Sequence, residues 1–367
     1  MPPLPGPQGA AAGRDAEAPS HIPAAGWKDI ARRIRSEISD DRLVLSAAGI
    51  AFYAFLALIP ALAVLVSVAG LVLDPDKVTE RTQDLFANLP EEARALLVDQ
   101  LETVAGRAGG ALSLSVVVGV LLSLWSASGG MGHLIEGVNV AYDEHDHRGF
   151  VAKRALALAF TLGAIVFVVF ALLGLAALAP ILDALGLRGW LDAIVQSAFW
   201  LVLVAGFAVG LGLLYRYAPD REEPRWRWVT WGSAVAVTLW VVASLGFRIY
   251  AANFGSYDKS YGSLAAVAVL LTWLFITAFV VLLGAEINAE IEHQTARDTT
   301  TGPDRPLGQR GAVMADTVGA GSDQVPSPPS ANHQEVVDER SIHRPPGNPG
   351  FRAAAGGTAV GPGRRAD

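Results

Sequence analysis

Glu286, Asn288 and Glu290 close the last long apolar run of the sequence. Positions 286 and 290 stand one helical turn apart, so a helix places both carboxylates on one face. Carboxylates at the end of a membrane-spanning segment can carry a proton or hold a cation. The same residues also suit the solvated end of a helix, or pairing with nearby arginines. Arg248 interrupts the end of the preceding run and is followed by Asn253, Tyr257, Asp258 and Lys259. An arginine there can contact an anionic group such as a lipid phosphate, or simply extend its head to water. Asp143, Glu144, His145, Asp146 and His147 alternate acids with imidazoles. Their spacing fits no structural metal site, so a solvated loop without metal is the expectation.

Other chemistry finds little to stand on. The chain has 367 residues and no cysteine, which removes disulfides, thiolate catalysis and cysteine-bound zinc. Neither a Gly-x-Ser-x-Gly elbow nor a His-Glu-x-x-His helix occurs, and Gly119, Gly129, Gly130 and Gly132 form no phosphate-cradling loop after a strand. The formal net charge of -7 offers no basic face for nucleic acid. No cofactor and no enzymatic activity are expected.

These residues depend on elements that read as membrane helices. Apolar residues make up 52% of the chain and charged ones only 17%, against about a quarter in soluble domains. Uncharged runs cover Leu43–Leu73, Ala108–His133, Ala155–Leu182, Ala193–Tyr215, Trp228–Phe247 and Ser260–Ala285. A helix needs about 20 apolar residues to cross the hydrocarbon layer, and all six runs reach that. The expected fold is therefore all-α, a polytopic bundle of six transmembrane helices. Pro60 sits inside the first run, where it removes a backbone hydrogen bond. It is a candidate hinge, or an adjustment for an overlong helix. Trp27, Ile30, Ile34 and Ile38 recur at helical spacing among Lys28, Arg32, Arg33 and Arg35, which reads as a basic helix on the membrane surface. Ala47, Ala48, Gly49 and Ala51, and Gly206 with Gly210, suit close helix packing. Trp226, Trp228 and Trp231 suit an interfacial belt. Within Asp74–Gly110, two short amphipathic helices are expected on the outer side.

Twelve Lys and Arg residues flank the N-terminal approach and the second and fourth connections, against seven in the other three. Cations concentrate on the cytoplasmic side, which places both termini inside. Residues 1–26 are rich in Pro, Gly and Ala, and residues 298–367 hold nine prolines and a single aromatic, Phe351, so both are expected to be disordered, around a membrane domain over 27–297.

The chain also resembles the YihY/BrkB inner-membrane proteins, a family once labelled ribonuclease BN. Three stretches carry the resemblance. The first is Leu45-Ser46-Ala47-Ala48-Gly49-Ile50-Ala51-Phe52-Tyr53-Ala54 with Pro60 after it. The second runs from Trp125-Ser126-Ala127-Ser128 through Asn139, Ala141 and Tyr142 to Arg148 and Lys153-Arg154. The third holds Asn253-Phe254-Gly255-Ser256-Tyr257, Tyr261-Gly262-Ser263-Leu264, Trp273 and Gly284 to Glu290. The resemblance implies a six-helix bacterial inner-membrane protein tied to the envelope. It singles out Tyr53, Asn139, Arg148, Tyr257, Tyr261, Glu286 and Asn288 as candidate functional positions. The leading expectation is a non-enzymatic envelope protein that moves or organises a lipid or other amphiphile. A solute or ion carrier using Glu286 and Glu290, and a scaffold for an envelope partner, are the alternatives. Membrane lipids are the expected partners, and the oligomeric state stays open.

Overall fold

The computed structural model describes residues 12–72, 114–184, 186, 189–254 and 263–320. The expected outer helices of 74–110, Tyr257 and Tyr261 lie outside the described residues. The elements are α1 (Ala24–Asp40), α2 (Leu43–Val72), α3 (Leu114–Ala141), α4 (Phe150–Ala184), α5 (Trp190–Tyr217), α6 (Trp226–Phe254), α7 (Ser263–His293) and the short α8 (Val313–Asp316). No strand occurs among the described residues, only an isolated bridge between Pro224 and Thr300.

Helices α3 to α7 each contain a segment long and apolar enough to cross a membrane, and α1 and α2, bent by 59° from one another, make a sixth when they are taken as one span. Helices suit this setting because lipid offers no partner for an unpaired peptide group. The long helices pack antiparallel in a ring, α2 against α3, then α4, α5, α6 and α7, which returns to α2. Their outward faces carry large exposed apolar residues, among them Leu122, Val166, Leu201 and Val242. Such faces suit contact with acyl chains.

The sharp bend falls at Arg42, whose φ of 50° is left-handed, and α2 runs as helix through Pro60. Pro60 therefore does not break its helix. The bend lays α1 over the end of the bundle. There Ile30 is buried with Trp228 and Ile291, with Trp27, Ile34 and Ile287 packed around them. The apolar face of α1 thus covers protein rather than lipid, and Trp228 belongs to this core rather than to an interfacial belt.

That end also corrects the expected disorder in the described parts of both tails. Ala16 and Ile22 join the same core. Thr295 Oγ1 donates to the carbonyl of Ala16 at 2.7 Å and the Ala296 amide to that of Arg14 at 2.7 Å. Residues 298–320 fold over the connection between α5 and α6. Arg310 is the organiser: its guanidinium donates to the carbonyls of Ala296 (2.8 Å), Arg297 (3.0 Å), Arg305 (3.1 Å) and Ala315 (2.5 Å). One buried cation satisfies four acceptors, so the segment is ordered with little apolar burial. Both described tail segments lie at this one end, called the terminal end below.

Candidate functional site

The C-terminal half of α7 is the most buried stretch at the terminal end. Glu286, Glu290 and Glu292 are each 1% exposed. Two of the three are neutralised. Arg221 clamps Glu292 with two hydrogen bonds of 2.9 and 2.5 Å, and Thr299 Oγ1 donates to the same carboxylate. Arg33 donates from Nε to Glu290 Oε2 and from Nη2 to the Gln294 side chain at 2.9 Å. His293 Nδ1 lies 3.6 Å from Glu290. Buried carboxylates are tolerated when they are paired in this way.

Glu286 differs. Neither of its carboxylate oxygens has a hydrogen-bond partner among the described residues. It faces Asp41, in the turn between α1 and α2, with Glu37 and Glu290 beyond. Tyr142, fully buried beneath the Arg221 guanidinium at 5.2 Å, also leaves its hydroxyl unpartnered.

Close packing accounts for the orientation. Residues on a helix rotate by about 100° each, so 284 and 288 share a face that 286 does not. Gly284 and Asn288 face α6. Asn288 accepts from the Gly232 amide at 2.7 Å and donates to the Val229 carbonyl at 3.1 Å. A Cβ on Gly232 would lie 2.3 Å from the Gly284 oxygen. Tyr215 adds a hydroxyl bond of 2.8 Å to the Val281 carbonyl. With α6 stitched to that face, Glu286 is turned toward α1 and α2.

Asp41 also lines a groove of about 590 Å³, formed mainly by the end of α3, the connection after it and the start of α4. The connection runs back along α3, and the Phe150 ring comes 6.3 Å from that of Trp125. Arg154 lies over the Trp125 ring at 4.1 Å and donates to the Trp125 carbonyl, while its Nε has no partner. Lys153 and Phe150 complete the rim, Phe150 being 73% exposed. The walls carry Asp143, Glu144 and Asp146. Burial pushes the Asp143 and Glu144 carboxyls above their usual range. For Asp146 burial acts in the same sense, but the Arg148 guanidinium outweighs it and holds the group below the usual range. On α1, burial and then the Glu290 charge raise Glu37 to about 7.

The positions expected from sequence separate into two groups. Glu286 lies behind the groove and Asn139 on its wall. Asn139 is also structural, donating to the Ile135 carbonyl at 2.9 Å and accepting from the Asp220 amide at 2.8 Å. Arg148 is a pin, bound to Asp146 at 2.9 Å and to the Ala218 carbonyl at 2.6 Å. Asn288 is the α6–α7 stitch, and Glu290 pairs with Arg33 rather than with Glu286. Tyr53 stacks on His133 with centroids 3.8 Å apart, and neither is itself a lining residue of the groove. Arg248 is exposed on α6, far from the glutamates. Sequence reasoning missed Asp41 and Arg154 as site residues. Asp41 belongs to no motif in the sequence; it stands in the turn where the chain bends at Arg42. Among the described residues no cluster of three or more metal-ligating side chains occurs, including within 143–147.

Comparison with known proteins agrees with this architecture. No solved structure gives a significant match. A ribonuclease-like protein YfkH of Bacillus subtilis is 28% identical over 57% of this chain and 77% of its own length. UPF0761 membrane proteins of Vibrio parahaemolyticus and Alkalilimnicola ehrlichii are 26% and 28% identical, over 70% and 72% of this chain and 80% and 59% of theirs. The model of the virulence factor BrkB family matches residues 34–307, from α1 into the folded segment after α7. The chain is a multi-pass membrane protein and belongs to the virulence factor BrkB family.

Proposed function

We propose that this protein sits in the bacterial inner membrane with its terminal end in the cytoplasm, and handles an amphiphile whose polar head enters the α3–α4 groove. The orientation rests on the excess of Lys and Arg in the segments gathered at that end. The observation that carries the function is the groove rim. Arg154 keeps an unpartnered Nε beside Trp125, Lys153 stands next to it, and Phe150 is exposed alongside. A guanidinium and an ammonium suit a phosphate, and flanking aromatics suit the headgroup region. The acidic inner wall suits an amine on the same head. No catalytic role is assigned, and the ribonuclease-like name of one relative is not carried over.

The test is lipid scrambling by purified protein in liposomes containing a fluorescent phospholipid. Movement above protein-free vesicles, lost in Arg154→Ala and Lys153→Ala but kept in Arg248→Ala, supports the reading. No movement in vesicles shown to contain folded protein overturns it. A solute carrier would then be the better account, since Glu286 offers a charge inside the bundle.

A further inference from the structure

Glu286 poses a problem that its neighbours on α7 do not. A carboxylate that is 1% exposed and has no donor at either oxygen is costly to keep ionised. Two arginines at this end are engaged elsewhere, Arg33 with Glu290 and Arg221 with Glu292. His293 leans on Glu290. The charged groups that act on Glu286 most strongly are acids. The turn after α1 presents Asp41, and α1 itself presents Glu37. Asp143, after α3, acts on Asp41 and Glu37 in turn. The Tyr142 hydroxyl is close enough to feel Glu286 and adds no positive charge.

The carboxyls of Glu286 and Asp41 face each other with no donor between them. Two carboxylates are acceptors only, so a hydrogen bond can form between them only when one of them carries a proton. A metal ion would need more ligands than the pair offers, and no cluster of three ligating side chains occurs among the described residues. Asp41 also lines the groove, which gives a proton a route in and out without crossing the bundle.

We propose that Glu286 and Asp41 form a proton-binding pair that takes up and releases one proton through the groove. Loaded, the pair is a hydrogen-bonded link between α7 and the α1–α2 turn that carries a single negative charge. Unloaded, two negative charges face each other across the joint where the chain bends, and α1 is pushed away from α7. The proton thus controls how tightly α1 closes over the end of the bundle. This assignment stands apart from the amphiphile reading, and a protein that moves no lipid can still hold the proton.

Infrared spectroscopy of the purified protein in detergent, titrated across the neutral range, tests it. The expected result is a protonated-carboxyl carbonyl component in the wild-type minus Glu286→Gln difference spectrum, which shifts when Asp41→Asn replaces wild type. Gln has the shape of the protonated acid, so Glu286→Gln should fold, as circular dichroism would check. A difference spectrum without that component, with Glu286→Gln folded, overturns the proposal. So does stabilisation by sodium but not by choline that is lost in Glu286→Gln, because the occupant would then be a metal ion.

Discussion

Three glutamates on one helix, within two turns, meet opposite electrostatic environments. At the terminal end, Glu290 and Glu292 are locked by Arg33 and Arg221. One turn deeper, Glu286 faces Asp41 and has no hydrogen-bond partner among the described residues. Burial is the same for all three, so burial does not separate structure from function here. The partner does. Paired buried charges fasten α1, the α5–α6 connection and the 298–320 segment to α7. The unpaired one stores a conflict that a proton relieves.

The largest effects should come from the paired side. Arg221 has a 0% exposed side chain and holds Glu292 through two bonds. Arg221→Ala leaves that carboxylate buried with only Thr299 as partner, which should cost about 3–5 kcal/mol. Thermal or denaturant unfolding in detergent would read this. Stability within about 1 kcal/mol of wild type would show that the pair holds nothing together. Next comes the stitch that turns Glu286 toward Asp41. Gly232→Ala puts a methyl 2.3 Å from the Gly284 oxygen. It must spread α6 from α7, at about 1–3 kcal/mol. Glu286→Gln should behave in the opposite way. It removes the charge conflict while keeping the shape, so unfolding at neutral pH should be unchanged or occur at higher temperature than in wild type. A loss as large as that in Arg221→Ala would erase the contrast.

The helices were legible in sequence because bilayer thickness imposes a length that composition reveals directly. The site was legible only in part. Glu286 stood out as an acid on an apolar helix, but its partner did not. Spacing pointed to Glu290, one turn away, whereas the pairing depends on the bend at Arg42, a tertiary feature with no local pattern of its own. The apolar stripe of α1 was visible, yet a stripe does not say whether lipid or protein covers it. The 298–320 segment looked disordered because composition counts apolar residues. Its order comes from Arg310 and from carbonyls, which every sequence has.

Glu37 sharpens the comparison by pH. Its carboxyl is raised to about 7, by burial first and then by the Glu290 charge. A carboxyl that holds its proton more tightly folded than unfolded contributes stability below its ordinary pKa, near 4.5. That contribution is lost as pH rises through about 7. Wild type should therefore lose stability over this window, and Glu37→Gln should flatten the decline. Because the group is partly exposed, the change should be modest. An unchanged slope would mean that the acids around Asp41 do not act on α1.

Arg248→Ala should have the smallest effect and serves as the control for place. The side chain is exposed on α6, well beyond Ala236 and Val237, the last residues of that helix that are buried among the described ones. Truncating it removes neither packing nor a buried partner. Unfolding should stay within about 0.5 kcal/mol of wild type, and the protonated-carboxyl band should be unmoved. If Arg248→Ala instead altered the band, the far end of α6 would be coupled to the terminal end. The separation between a fastened end that holds the proton and a lipid-facing remainder would then fail.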